Sequence, residues 1–183
     1  MTRGTFLWSF QFVFRTTEAS ARAILPPSLE PLTRDGQAFF NVAIGEYEGL
    51  RPATRPLKLG RGGHIAIVRL YAREKGTPDV GFYGLRAICD DARSLRYTHH
   101  LAGTPTEEEH IDVFDDTVGT VQIKIDSEFE PTSMTLDTRG KPILSPGSPF
   151  RSLTESATFL RPPSRLFALD GSGGVLTADI ERI

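Results

Sequence analysis

The residues best suited to chemistry lie in one stretch, Ile65 to Cys89 (IAIVRLYAREKGTPDVGFYGLRAIC), where Arg69, Tyr71, Arg73 and Arg86 stand among apolar neighbours. A guanidinium presents a planar fork of donors and fixes a carboxylate through two parallel hydrogen bonds. Arginines in apolar surroundings therefore point to a small carboxylate-bearing ligand. Glu46 and Glu48 belong to an earlier strand; if the strands are neighbours in a barrel, acids and arginines share its interior. Two readings stay open: a ligand site, or arginines that pair with the glutamates or reach solvent at strand ends. The candidate ligand contacts are Arg69, Tyr71, Arg86, Glu46, Asn41 and Tyr83.

Other chemistries find less support. His99, His100, Glu107, Glu108, Glu109 and His110 carry metal-ligating groups, but adjacent histidines on a helix diverge by about 100° and no HExxH is present. The acidic run reads as a solvated loop, and no metal or cofactor is expected. Serines are plentiful without a GxSxG elbow, so nothing speaks for an esterase. The clusters Gly60 to Gly63 and Gly171 to Gly174 lack the Lys-Ser/Thr that follows a phosphate loop, and read as turns. Cys89 alternates with Ala87 as a small buried apolar residue.

The elements that must position these residues follow from periodicity. Ile65 to Arg73 alternates as a strand, with Ala66, Val68, Leu70 and Ala72 on one face and Ile65, Ile67, Arg69, Tyr71 and Arg73 on the other. Glu74 to Asp79 is a turn, and Val80 to Cys89 returns with Val80, Phe82, Gly84, Arg86 and Ile88 on one side. Before this hairpin, Phe6 to Arg15 is a strand whose aromatic face (Phe6, Trp8, Phe10, Phe12, Phe14) predicts a core wall. Thr16 or Thr17 caps a short helix that buries Ala21, Ile24 and Leu25 and ends at Pro26-Pro27. Asp35-Gly36 turns into a strand over Ala38 to Glu48, with Asn41 opposite Phe40 and Val42. Gly49 to Gly63 is a loop.

After the hairpin a helix is expected from about Ala92 to Leu101, then strands at His110 to Phe114 and Gly119 to Phe129. The latter buries Val121, Ile123, Ile125 and Phe129. Met134 to Ile143 reads as a strand pair bent at Arg139-Gly140, and Ser148-Pro149 as the start of a helix reaching Leu160 with Phe150, Leu153, Ala157 and Leu160 inward. Arg165 to Leu169 and Val175 to Ile180 close the chain as a hairpin. Many antiparallel strands, three short helices and no βαβ rhythm make an α+β, mostly antiparallel β fold with a curved or closed sheet.

A chain of 183 residues is one domain (1–183) with room for a core. Its formal charge of −2 supplies no field for nucleic acid or an anionic membrane. One cysteine excludes an internal disulfide. No apolar run reaches a membrane span and the N-terminus lacks a signal-peptide plan, so the expected location is cytoplasmic.

These residues carry a resemblance. FQFVFRTTEASARAILPPSLEPL, a strand, a capped helix and a double proline, resembles the opening of acetoacetate decarboxylase-like proteins. VRLYAREKGTPDVGFYGLRAICDDARSLRY and SLTESATFLRPPSRLFALDGSGGVLTADI are similar to the uncharacterised YqjF-like bacterial family of that superfamily. The resemblance covers nearly the whole chain. It implies a curved antiparallel sheet closing into a cone-like barrel around a cavity, with about three short helices outside. It does not carry the activity over, because the decarboxylase's Schiff-base lysine has no counterpart in Asp79 to Asp91 and its acidic residue appears as Asn41. Lys58, Lys75, Lys124 and Lys141 lie in loops, turns or on an outward face. The expectation is a small-molecule-binding protein or an enzyme of unassigned chemistry. A decarboxylase using another lysine and a homo-oligomeric interaction protein are the alternatives.

Overall fold

The computed structural model describes residues 2–52, 61–91, 104–115, 118–126, 131–169 and 174–179. Its backbone is the long main sheet that the apolar alternation calls for. β1 (Thr2–Thr17), β4 (Gln37–Pro52), β5 (Arg61–Glu74) and β6 (Val80–Cys89) form consecutive antiparallel neighbours. β11 (Arg165–Leu169) then adds parallel to β6, and β12 (Val175–Asp179) forms an antiparallel hairpin with β11. Three short strands join from the sides: β2 (Leu29–Pro31) on β5, β3 (Thr33–Arg34) on β4 and β7 (Thr106–Glu108) parallel to β6. A second antiparallel sheet consists of β8 (His110–Asp115), β9 (Thr120–Asp126) and β10 (Thr132–Asp137).

The central strands are covered on both faces. On the face of Val68, α1 (Glu18–Ile24) and Leu29 close over Leu70, Ala72 and Phe167. Farther along that face, Ile111, Val121, Ile123 and Ile125 of the second sheet pack on Phe10, Phe12, Ile44, Ala66 and Ile88. On the face of Arg69, Tyr71 and Phe82 pack with Phe39 and Phe150, and Phe159 of α2 (Leu153–Phe159) joins them. At the other end Tyr47, Ile65 and Cys89 form a small apolar group.

Local chemistry sets several boundaries. Thr17 caps α1, its hydroxyl accepting the Ser20 N–H at 3.1 Å, with Glu18 in the first turn and Arg22 paired to it at 2.8 Å. Asp35 and Gly36 both take positive φ, 49° and 72°, which joins β3 to β4 by a two-residue turn. Gly76, at φ 80°, turns the β5–β6 hairpin.

Several expectations require correction. The sheet is not closed into a barrel: β1 and β12 are its two edges, and among the described residues no ladder joins them. Two helices rather than three occur among the described residues, and the one expected at Ala92 to Leu101 lies outside them. α2 starts at Leu153, not at Ser148-Pro149, because Ser152 accepts the Glu155 N–H at 3.1 Å while Glu155 accepts the Arg151 N–H at 2.8 Å. That reciprocal cap outcompetes the Ser-Pro start; Phe150 is buried ahead of the helix and Leu153 is exposed. Only β10 forms within Met134 to Ile143; residues 141–149 form no strand. Ile24 is exposed. Of the aromatic wall, Phe10 and Phe12 pack inward, while Phe6 and Phe14 are exposed because β1 is an edge. A register shift between Phe6 and Trp8 also turns Phe6 onto the opposite face.

Candidate functional site

Paired residues across a ladder share a face, so the register sorts the candidate residues. Arg69 pairs with Asn41 on β4 and with Gly84 on β6. Arg86 pairs with Val68, so Leu85 is an extra residue on β6 at the point where the ladder shifts. This bulge overturns the predicted alternation: Phe82 and Gly84 share the face of Arg69, whereas Arg86 and Ile88 lie on the opposite face. Asn41, Arg69 and Tyr71 are brought together; Arg86, Tyr83 and Glu46 stand on the other side of the sheet. A single interior shared by Arg69, Arg86 and Glu46 does not exist.

The face of Arg69 carries a polar row set between apolar clusters. Asn41 Nδ2 donates to Gln11 Oε1 at 3.3 Å, and Asn41 Oδ1 accepts from Arg69 Nε and Nη2 at 3.1 and 2.5 Å. The Arg69 guanidinium lies 3.9 Å from the centroid of the Phe82 ring, a cation–π stack. Asn41 is 0% and Arg69 8% exposed, while Gln11 at the β1 edge is open to solvent. Gly84 faces Arg69, and a Cβ there would overlap the side chain of buried Thr104. Tyr71, which packs on Phe82, donates its hydroxyl to Leu160 O at 2.7 Å and so ties the end of α2 to the sheet.

Arg86 is neutralised by the acidic run read as a solvated loop. Its Nη2 reaches Glu107 at 2.5 Å and Glu109 at 3.2 Å, brought near by the parallel pairing of β7 with β6. Tyr83 lines a recess of about 250 Å³ with Ile24, Leu85, Pro105, Ala168 and Leu169. Glu46 accepts the indole N–H of Trp8 at 2.8 Å. Beside it on β5 stands His64, whose Nδ1 lies 2.9 Å from Asp90 Oδ2. His64 escapes a reading that ends the loop at Gly63; the signal is its parity with Ala66, which places it on the face of Glu46. His99 and His100 lie outside the described residues, and His110 pairs with Asp112 on an exposed strand. Among the described residues no group of three or more His, Cys, Asp or Glu is placed to hold a metal.

Cys89 is fully buried, and burial pushes its thiol up to about 11; a backbone hydrogen bond at Asp91 opposes this, and the negative charges of Asp90, Asp91 and Glu108 add to it. A protonated, enclosed thiol is a poor nucleophile. In the native protein Cys89 should resist a disulfide reagent such as DTNB at mildly alkaline pH and react fully only once denaturant unfolds the chain. Rapid native labelling would show that the strand end opens.

Comparison with known proteins gives the fold its context. The chain matches no family profile and no curated protein. Among solved structures it is similar to acetoacetate decarboxylase from Legionella pneumophila, with a TM-score of 0.57, 15% identity and 92% of this chain covered. An acetoacetate decarboxylase-like enzyme from Sphingomonas wittichii RW1 gives 0.63, 16% and 96%. The enduracididine biosynthesis enzyme MppR complexed with pyruvate gives 0.55, 13% and 96%. This chain spans 60%, 69% and 76% of the length of those proteins, in that order. At such identities the likeness establishes the acetoacetate decarboxylase-like fold. No helix among the described residues is long and apolar enough to cross a membrane.

Proposed function

We propose that this chain is a small-molecule-binding protein on the acetoacetate decarboxylase-like fold, nearest the YqjF-like family, and that it takes a small carboxylate at Arg69. The observation that carries this reading is the Gln11–Asn41–Arg69 row. Asn41 and the Phe82 ring hold a guanidinium in one orientation, and Gln11 opens the row to water at the sheet edge. A preoriented fork loses little freedom when it binds a carboxylate. The fold adds weight, because MppR, with a similar fold, is known in complex with pyruvate, itself a carboxylate.

Schiff-base chemistry has less in its favour. A nucleophilic lysine needs a depressed pKa, whereas Lys124 is held protonated by its bond to Asp126 at 2.7 Å. Lys75 and Lys141 are exposed, and Lys58 lies outside the described residues.

Pyruvate should raise the melting temperature of the parent in a concentration-dependent way. Arg69→Lys, which keeps the charge but loses the fork, should abolish the response, and Arg86→Lys should retain it. An Arg69→Lys variant that responds like the parent sinks the assignment. Borohydride with acetoacetate should leave the intact mass unchanged; a trapped adduct would establish a lysine-dependent decarboxylase instead.

A further inference from the structure

On the opposite face of the main sheet, Trp8, Glu46, His64 and Asp90 form one row across four neighbouring strands or strand ends. Trp8 pairs with Glu46 and Glu46 with His64, while the Asp90 N–H bonds the His64 carbonyl at 3.3 Å. One rung inward lies the apolar row Phe10, Ile44, Ala66 and Ile88, packed against the second sheet with Ile44 and Ala66 buried. The polar row is thus the rim of a packed core.

Its bonds are directional. Asp90 uses one oxygen to accept the His64 backbone N–H at 2.8 Å and the other to meet Nδ1 at 2.9 Å. In the neutral imidazole, an aspartate against Nδ1 favours the tautomer with the proton there, and Nε2 is then the acceptor. Gly63 permits this contact, since a Cβ at that position would overlap Asp90 Oδ1. Trp8 donates to Glu46 Oε2, and among the described residues no hydrogen bond reaches Oε1. Among the described residues no arginine or lysine pairs with Glu46 or Asp90. The Trp8 and His64 rings lie 6.1 Å apart and tilted by 45°, so an indole ring stands beside the two acceptors.

We propose that Trp8, Glu46 and His64 form a second ligand site, one that takes a protonated primary amine. The ammonium donates to Glu46 Oε1 and to His64 Nε2, and its charge and apolar body rest against the indole. An anionic ligand is disfavoured by Glu46 and Asp90. Asp90 is a positioning residue that fixes the imidazole tautomer. The site does not depend on carboxylate binding at Arg69, which lies across the sheet.

The chain's only tryptophan is Trp8, so its indole N–H gives one unambiguous NMR signal. In ¹⁵N-labelled protein, 2-phenylethylamine should shift that signal saturably, and phenylacetate or 2-phenylethanol should not. Glu46→Gln, near-isosteric and still able to accept from Trp8, should weaken amine binding roughly tenfold or more. His64→Gln should weaken it severalfold, and Arg69→Lys should leave it unchanged. A parent protein that binds the amine but shows no response to pyruvate would overturn only the carboxylate reading. The amine site is overturned if the indole signal does not respond to amine, if it responds equally to phenylacetate, or if folded Glu46→Gln binds amine like the parent.

Discussion

Phe82→Ala should cost the fold about 3–5 kcal/mol, the range for truncating a fully buried aromatic. Phe82 is 0% exposed near the start of β6, with the Tyr71 ring 4.6 Å away and Leu166 of β11 paired beside it. Removing the ring opens a cavity over that face of the sheet, among Tyr71, Phe39 and Phe150. It also strips the π face from a buried guanidinium, adding about 0.5–2 kcal/mol at a desolvated site. Urea unfolding followed by tryptophan fluorescence measures the loss as a fall in midpoint. Phe82→Leu, which restores most of the volume without the ring, should recover the cavity part alone. Phe14→Ala is the contrast: at 52% exposure its loss should stay within about 0.5 kcal/mol. A loss below 1 kcal/mol for Phe82→Ala would mean that this region of the core is not packed as described.

The parts of this fold that a sequence reveals are those fixed by local periodicity and turn chemistry. β6 was legible to the residue, Val80 to Cys89, because its flanks carry Gly, Pro and Asp. The alternation of Val121, Ile123 and Ile125 predicted their burial, and Thr17 was one of two caps expected for α1. What escaped depends on how strands meet. A bulge at Leu85 leaves no mark in the sequence, since Gly84, Leu85 and Arg86 read equally well as regular strand. Yet it sends Arg69 and Arg86 to opposite faces and dissolves the pocket that strict alternation suggests. The glutamates that neutralise Arg86 come from a segment whose parallel pairing only tertiary structure specifies. Asn41 shows the converse. Its parity opposite Phe40 was plain, but its role as the acceptor for Arg69 required the β4–β5 register.

That register makes the pair separable by experiment. Asn41→Leu should destabilise by about 3 kcal/mol, because it withdraws an oxygen that accepts two bonds from a cation 8% exposed. Arg69→Met in the same background should be less harmful than the two single losses summed, since a buried polar pair removed together leaves no stranded charge. The expected coupling is about 1–3 kcal/mol in a double-mutant cycle read by denaturant midpoint. A purely structural Arg69 would show this coupling and nothing more. A carboxylate-binding Arg69 predicts a further result: folded Asn41→Leu retains the guanidinium but loses its orientation, so the pyruvate-induced rise in melting temperature should shrink without vanishing. Additive losses would remove Asn41 as the residue that positions Arg69. An undiminished pyruvate response in Asn41→Leu would show that the guanidinium needs no such positioning to bind.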